Sequence, residues 1–130
     1  MHAPTRGPAE AEWTRAARGS DGRPYPWGKG FRWTYCLGAQ SQPVETRPES
    51  RGSYVVDESP FGVRDMGGSA REWCADTLSE KDRDLRVLRG GAWGYGRARH
   101  FRSAYRVGED PEFVNALFGF RLACVERVEP

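Results

Sequence analysis

The sequence predicts an α+β domain that is rich in loops, with short strands and one clear helix. Three observations predict it. Sixteen glycines and nine prolines are spread along 130 residues, and these residues cut a chain into short pieces joined by turns. Five Trp, five Tyr and six Phe supply the large apolar surfaces that short pieces need to hold together. A single stretch repeats its apolar residues at helical spacing, and the period-two runs are brief. The length suits one domain, with residues 1–8 as a disordered lead-in and 9–130 as the folded part.

The helix is expected from Ala9, where AEAEWTRAAR places Ala9, Trp13, Ala16 and Ala17 on one face. Glu10 and Glu12 fall in its first turn and Arg15 and Arg18 in its last, which suits the helix dipole, and Gly19 stops it. The run SDGRPYPWGKG is a series of turns. FRWTYCLG holds a short extended piece, and AQSQPVETRPES is a polar surface loop. The segment from Ser59 to Asp76 reads as a coil of turns with a brief strand around Glu72–Cys74. Strands are expected in LRVLRGGAW, HFRSAYRV and FGFRLACVERV.

The charge balance, 20 Lys plus Arg against 18 Asp plus Glu, is too even to point to nucleic acid or an anionic membrane. No apolar run approaches bilayer-crossing length, and the opening residues show no secretory signal. Three cysteines, Cys36, Cys74 and Cys124, cannot all pair within the chain. Reduced thiols and cytoplasmic residence are the expectation, with Cys74 and Cys124 as buried, inert thiols.

Among chemistry-bearing groups, the stretch Asp65-Met66-Gly67-Gly68-Ser69-Ala70-Arg71-Glu72 offers two carboxylates within eight glycine-rich residues, a composition that suits a hard cation. The alternative is that Glu72 pairs with an arginine and binds no ion. With His2 in the lead-in, His100 is the one histidine expected to be ordered, and a surface or packing role is expected for it. Arg97, Arg99, Arg102 and Arg106 are followed closely by Glu109, Asp110 and Glu112, which reads as a mixed, solvated face. Trp13, Trp27, Trp73 and Trp93 are expected in the core.

Six blocks carry a resemblance to a known family. They are RGPAEAEWTRAARG from Arg6, PYPWG from Pro24, SPFGVRDMGGSAREW from Ser59, RGGAW from Arg89, RSAYR from Arg102 and GFRLA from Gly119. In this order they resemble the formylglycine-generating-enzyme, or sulfatase-modifying factor, family, which implies a much-decorated C-type-lectin-like fold. The family's domain extends upstream of the first block, so 9–130 is similar to its C-terminal part. A complementary N-terminal fragment or a second copy of the chain is therefore an expected partner, docking on apolar surface left uncovered.

The resemblance also implies a site and its loss. The family's oxidase holds copper with two cysteines just after its RGGS-like block, and those positions fall on Tyr95 and His100 here, with Ala92 replacing the serine. Thiolates select Cu(I), and a phenol with an imidazole does not replace them, so no copper is expected. The resemblance implies calcium held by side-chain oxygen from Asp65, carbonyls from Gly68 and Ala70, and the Glu72 carboxylate. It also implies a bacterial binding module, similar to the variable proteins of diversity-generating retroelements or to modules attached to serine/threonine kinases. Such proteins display contact side chains between RGG-W and GFR-L, here Gly94 to Phe118, with Tyr95, Arg97, Arg99, His100, Glu109, Phe113 and Asn115 as contact residues for a protein or small ligand. The alternative is an oxidoreductase of the same family, formylglycine-generating or sulfoxide-synthase in type, that needs a partner chain.

Overall fold

The computed structural model describes residues 4–81 and 83–126. Strand β1 is Thr5–Arg6 and helix α1 is Glu10–Arg18. Strands β2, Arg71–Glu80, and β3, Arg83–Arg89, form an antiparallel pair. A 3-10 turn spans Ala98–Phe101, and β4 (Arg106–Glu109), β5 (Phe118–Gly119) and β6 (Ala123–Cys124) follow. The order β4-β3-β2-β5 makes one four-stranded sheet, in which β5 runs parallel to β2, and β1 pairs with β6 in a second, two-stranded one. The result is one helix beside short strands, with long irregular segments between them.

Helix α1 forms as its sequence requires. Glu12 returns its carboxylate to the Ala9 amide at 2.9 Å, and Gly19, at φ +67°, ends the helix in a conformation that favours glycine. Trp13 and Ala17 face inward against Met66, Cys74 and Val87. A second cluster, Tyr25, Cys36 and Phe101, is walled by Trp27, Phe31, Trp33 and Tyr95. Two centres joined by turns solve the burial problem of a chain with so little regular structure.

Several expectations are corrected. Thr5–Arg6 pair with Ala123–Cys124, so this part of the 1–8 lead-in is tied into the fold, while His2 lies outside the described residues. The expected strand at Glu72–Cys74 runs ten residues, because Thr77–Glu80, polar and exposed except for Leu78, pair with Arg83–Arg86. The register shifts between Trp73 and Thr77, which turns the Ala75 amide to the Pro8 carbonyl and lets Asp76 accept from the Glu10 amide at 2.6 Å. HFRSAYRV divides into the 3-10 turn and β4, and FGFRLACVERV gives only β5 and β6 among its described residues. FRWTYCLG forms turns instead of an extended piece. Trp13 is buried, but Trp27, Trp73 and Trp93 are only half-buried, and Cys124 is exposed where a buried thiol was expected.

The glycines of Arg89-Gly90-Gly91 have separate reasons. Gly90 sits at φ +86°, where a side chain strains the backbone. A Cβ on Gly91 would lie 2.3 Å from Phe101 and 2.7 Å from the Gly67 carbonyl. This close approach seats the Phe101 ring over the strand exit.

Candidate functional site

Three arginines, Arg71 and Arg89 buried and Arg121 partly so, organise the region around β2 and β3. Arg89 donates to Glu10 at 3.1 Å, to Thr14 at 2.6 Å, and to the carbonyls of Tyr105 and Ser103, and its guanidinium lies 5.0 Å from the Trp13 ring. It thereby locks helix α1 to the strand and to the chain beyond the 3-10 turn. Arg121 grips Glu72 with Nε at 2.6 Å and Nη2 at 2.8 Å, the bidentate geometry of a strong pair. Arg71, 4% exposed, donates Nε to the Gly90 carbonyl at 2.7 Å and stacks its guanidinium 4.0 Å from Tyr95 and 5.0 Å from Tyr105. Arg89 and Arg121 thus brace loops through these bonds, whereas Arg102 is exposed.

The acidic glycine-rich segment is held by a residue that sequence reading missed. Asp57, 1% exposed, accepts from the amides of Gly67 at 2.9 Å and Gly68 at 2.8 Å, and its carbonyl accepts from Asp65. Burial pushes its carboxyl up to about 7, against the two amide bonds that favour the ionised form. Asp65, at φ +60°, accepts from the Gly52 amide at 2.7 Å. Asp65, Ala70 and Glu72 line one cleft of about 690 Å3, shared with Arg64, Phe120 and Arg121. Gly68 is buried against Leu37 and Cys36. Glu72 spends Oε1 on Trp13 Nε1 at 2.8 Å and both oxygens on Arg121. A calcium ion using Glu72 would have to share it with that guanidinium, so this donor set does not fit the ion as the chain is arranged.

The second candidate surface begins at Tyr95. Its ring lies 5.1 Å from His100, which lies 5.3 Å from Tyr105. Burial, with the positive charges of Arg71, Arg99 and Arg97 adding to it, lowers the His100 imidazole below its ordinary value. Burial raises the Tyr95 phenol. The 3-10 turn places Arg99 outward beside buried Phe101, and Arg97, Arg99 and Phe113 are exposed. Asn115 accepts from the Leu117 amide at 2.8 Å, and Glu109, on β4 opposite Arg86, accepts from the Asp110 amide. Tyr95 therefore belongs partly to the framework, while the arginines and Phe113 are free to make contacts.

Copper does not fit the Tyr95–His100 pair. A phenol raised by burial is a poor anionic donor, and the Arg71 guanidinium against its ring is a fixed positive charge beside any metal. The Cys36 thiol in the neighbouring cluster is pushed far up by burial and by Asp57, the opposite of an available thiolate. Cys74 is pushed up to about 12, again chiefly by burial.

With one helix, a curled mixed sheet and long ordered loops, the architecture is that of a C-type-lectin-like domain of the formylglycine-generating kind. The chain belongs to the sulfatase-modifying factor family: residues 4–125 match the model of the sulfatase-modifying factor enzyme 1-like domain. It is 35% identical over 128 residues to an inactive C-alpha-formylglycine-generating enzyme 2 of Bos taurus, covering 89% of this chain and 42% of that protein. It is 33% identical to the serine/threonine-protein kinase Pkn1 of Chlamydia trachomatis serovar L2, covering 89% of this chain and 20% of the kinase. Among solved structures it resembles Treponema denticola variable protein 1, with a TM-score of 0.70 and 27% identity over 94% of this chain and 48% of that one. The chain spans less than half the length of each.

Proposed function

We propose that this domain is a non-catalytic binding module, with the surface from Gly94 to Phe118 as its recognition face for a protein or small ligand. The observation that carries the reading is the side-chain set at the two positions where the family's oxidase has cysteines. Tyr95 is committed to Arg71 and His100 is packed between Tyr95 and Tyr105. Neither offers the soft anionic sulfur that a copper oxidase needs. Exposed Arg97, Arg99 and Phe113 provide an arginine-and-aromatic composition suited to recognition. The similarity to an inactive relative, to a kinase and to a variable protein supports the same reading. Exposed Phe120 and Leu122 supply apolar surface for a complementary chain or a second copy.

The test is to incubate the purified chain, with and without copper, with a peptide containing Cys-x-Pro-x-Arg and to follow formylglycine by mass spectrometry. No conversion above a no-enzyme control is expected. Clear conversion would establish instead the second reading, an oxidoreductase of the family. That reading draws on the family's enzymes and on the chain's partial coverage of its relatives, so the assay is repeated with any partner chain that copurifies.

A further inference from the structure

Of Arg71, Arg89 and the partly buried Arg121, two have a carboxylate. Arg89 has Glu10 and Arg121 has Glu72. Arg71 is as buried as Arg89, yet among the described residues no carboxylate lies within ion-pair distance of it. Its Nη2 is closed to solvent and has no hydrogen-bond partner, and the same is true of His100 Nδ1. A guanidinium taken out of water without a counter-charge is costly, and the tyrosine faces on either side offset only part of that cost.

These groups meet at one place. Tyr95 and Tyr105 flank the Arg71 guanidinium at 4.0 and 5.0 Å, and His100 touches both rings at 5.1 and 5.3 Å. We infer that this nest is a binding pocket for a carboxylate group, with Arg71 Nη2 as the charged donor and His100 Nδ1–H as the second. A carboxylate presents two oxygens in a plane, which suits donors arriving from two sides. The tyrosine and histidine rings are each partly exposed, so the pocket lies one side chain below the surface. Rotation of a tyrosine ring opens it. The carboxylate is that of a small acid or of an acidic residue on a partner. The inference rests on the reading of Gly94–Phe118 as a recognition face, because three of the four walls belong to that segment.

The experiment titrates the full chain, labelled with carbon-13 in its tyrosine rings, with sodium acetate at constant ionic strength. A second arm uses a short peptide rich in glutamate. Saturable shifts of the Tyr95 and Tyr105 rings are expected in acetate and not in chloride. Saturation by the glutamate peptide at much lower concentration assigns the acid to a partner, and saturation by acetate alone assigns it to a small acid. His100→Phe keeps the packing and should weaken binding about tenfold, the loss expected for one charge-assisted hydrogen bond. Arg71→Gln should abolish it, and Arg71→Lys should restore part of it if the Gln variant folds poorly. Ring shifts that do not saturate with either probe, or that chloride reproduces, would overturn the pocket. Saturable acetate binding, with partner capture unaffected by Arg99→Ala, would sink the wider recognition face and leave the pocket standing.

Discussion

Glu72 and Arg121 stand 49 residues apart in the chain and form a bidentate pair beside the Trp13 indole, which donates to the same carboxylate. Three segments thus meet at one oxygen pair: helix α1, the start of β2 and the link between β5 and β6. Removing the guanidinium leaves a buried carboxylate with only an indole donor. Arg121→Ala is therefore expected to destabilise the domain by about 2 kcal/mol, less than the cost of breaking a fully buried pair because the Arg121 side chain is 27% exposed. Urea denaturation measures it, and a change below about 1 kcal/mol would show the pair to be dispensable.

The same pair bears on calcium. An ion at Asp65–Glu72 must draw Glu72 away from Arg121. The melting temperature in millimolar calcium is expected to equal that in chelator. A rise in calcium that Glu72→Gln abolishes would show that Arg121 gives way to the ion.

Asp57 sets a pH dependence whose sign is opposite to that of an ordinary surface carboxylate. Burial raises its folded value from 3.8 to about 7. Between these values the folded chain holds a proton that the unfolded chain has released. Its contribution is fully present below about pH 3.8 and is lost as pH rises to about 7, with a slope of at most about 1.4 kcal/mol per pH unit. Exposed Glu12, lowered from 4.5 to about 2 by Arg6 and the Ala9 amide, acts with the opposite sign between those values. Denaturation midpoints between pH 4.5 and 7.5 should fall in the native chain. They should run flatter in Asp57→Asn, and parallel curves would remove Asp57 as the source.

Tyr95 and Arg99 should separate on substitution, although both were expected to be surface contacts. Arg99 is exposed, and Arg99→Ala should leave stability within about 0.5 kcal/mol. Tyr95 lies on the Arg71 guanidinium and against the Phe101 cluster, so Tyr95→Ala should cost about 1–2 kcal/mol. Both should weaken partner binding. Equal stability for the two variants would mean that the Tyr95 stack contributes nothing.

The parts of the fold legible in the sequence were those written as local pattern. Helix α1 announces itself through Trp13 and Ala17 at a four-residue step, two acidic residues in its first turn and Gly19 at its end. The β3 strand shows in the apolar run around Val87. The outer half of β2 does not, because Thr77, Ser79 and Glu80 are polar and exposed, leaving Leu78 as its single apolar contact and the partner strand to hold the rest. The turn at Ala98–Phe101 was equally hidden, since Phe101 is drawn inward by a cluster assembled from residues some 70 positions earlier. The pairing of Glu72 with an arginine was weighed as an alternative, but its partner could not be chosen among so many arginines. Asp57 and Arg71 looked like ordinary charged residues. Only the fold reveals that one caps a glycine turn from inside and the other lacks a counter-charge. The signal for Asp57 was weak: it lies ten residues before Gly67-Gly68, where two adjacent amides need an acceptor, but Glu58 beside it offers the same group.

The clasp of Thr5–Arg6 on Ala123–Cys124, continued by the Val125 amide on the Pro4 carbonyl, brings residues 4–6 and 123–125 side by side. Two paired strands hold these segments about one strand spacing, near 5 Å, apart, so a short linker can bridge them. A circular permutant, with these ends joined by a short glycine linker and new termini opened in the exposed 44–51 loop, should keep its native near-ultraviolet circular dichroism. The same operation at Gly90-Gly91 should abolish it, because there the backbone is the seat of a ring.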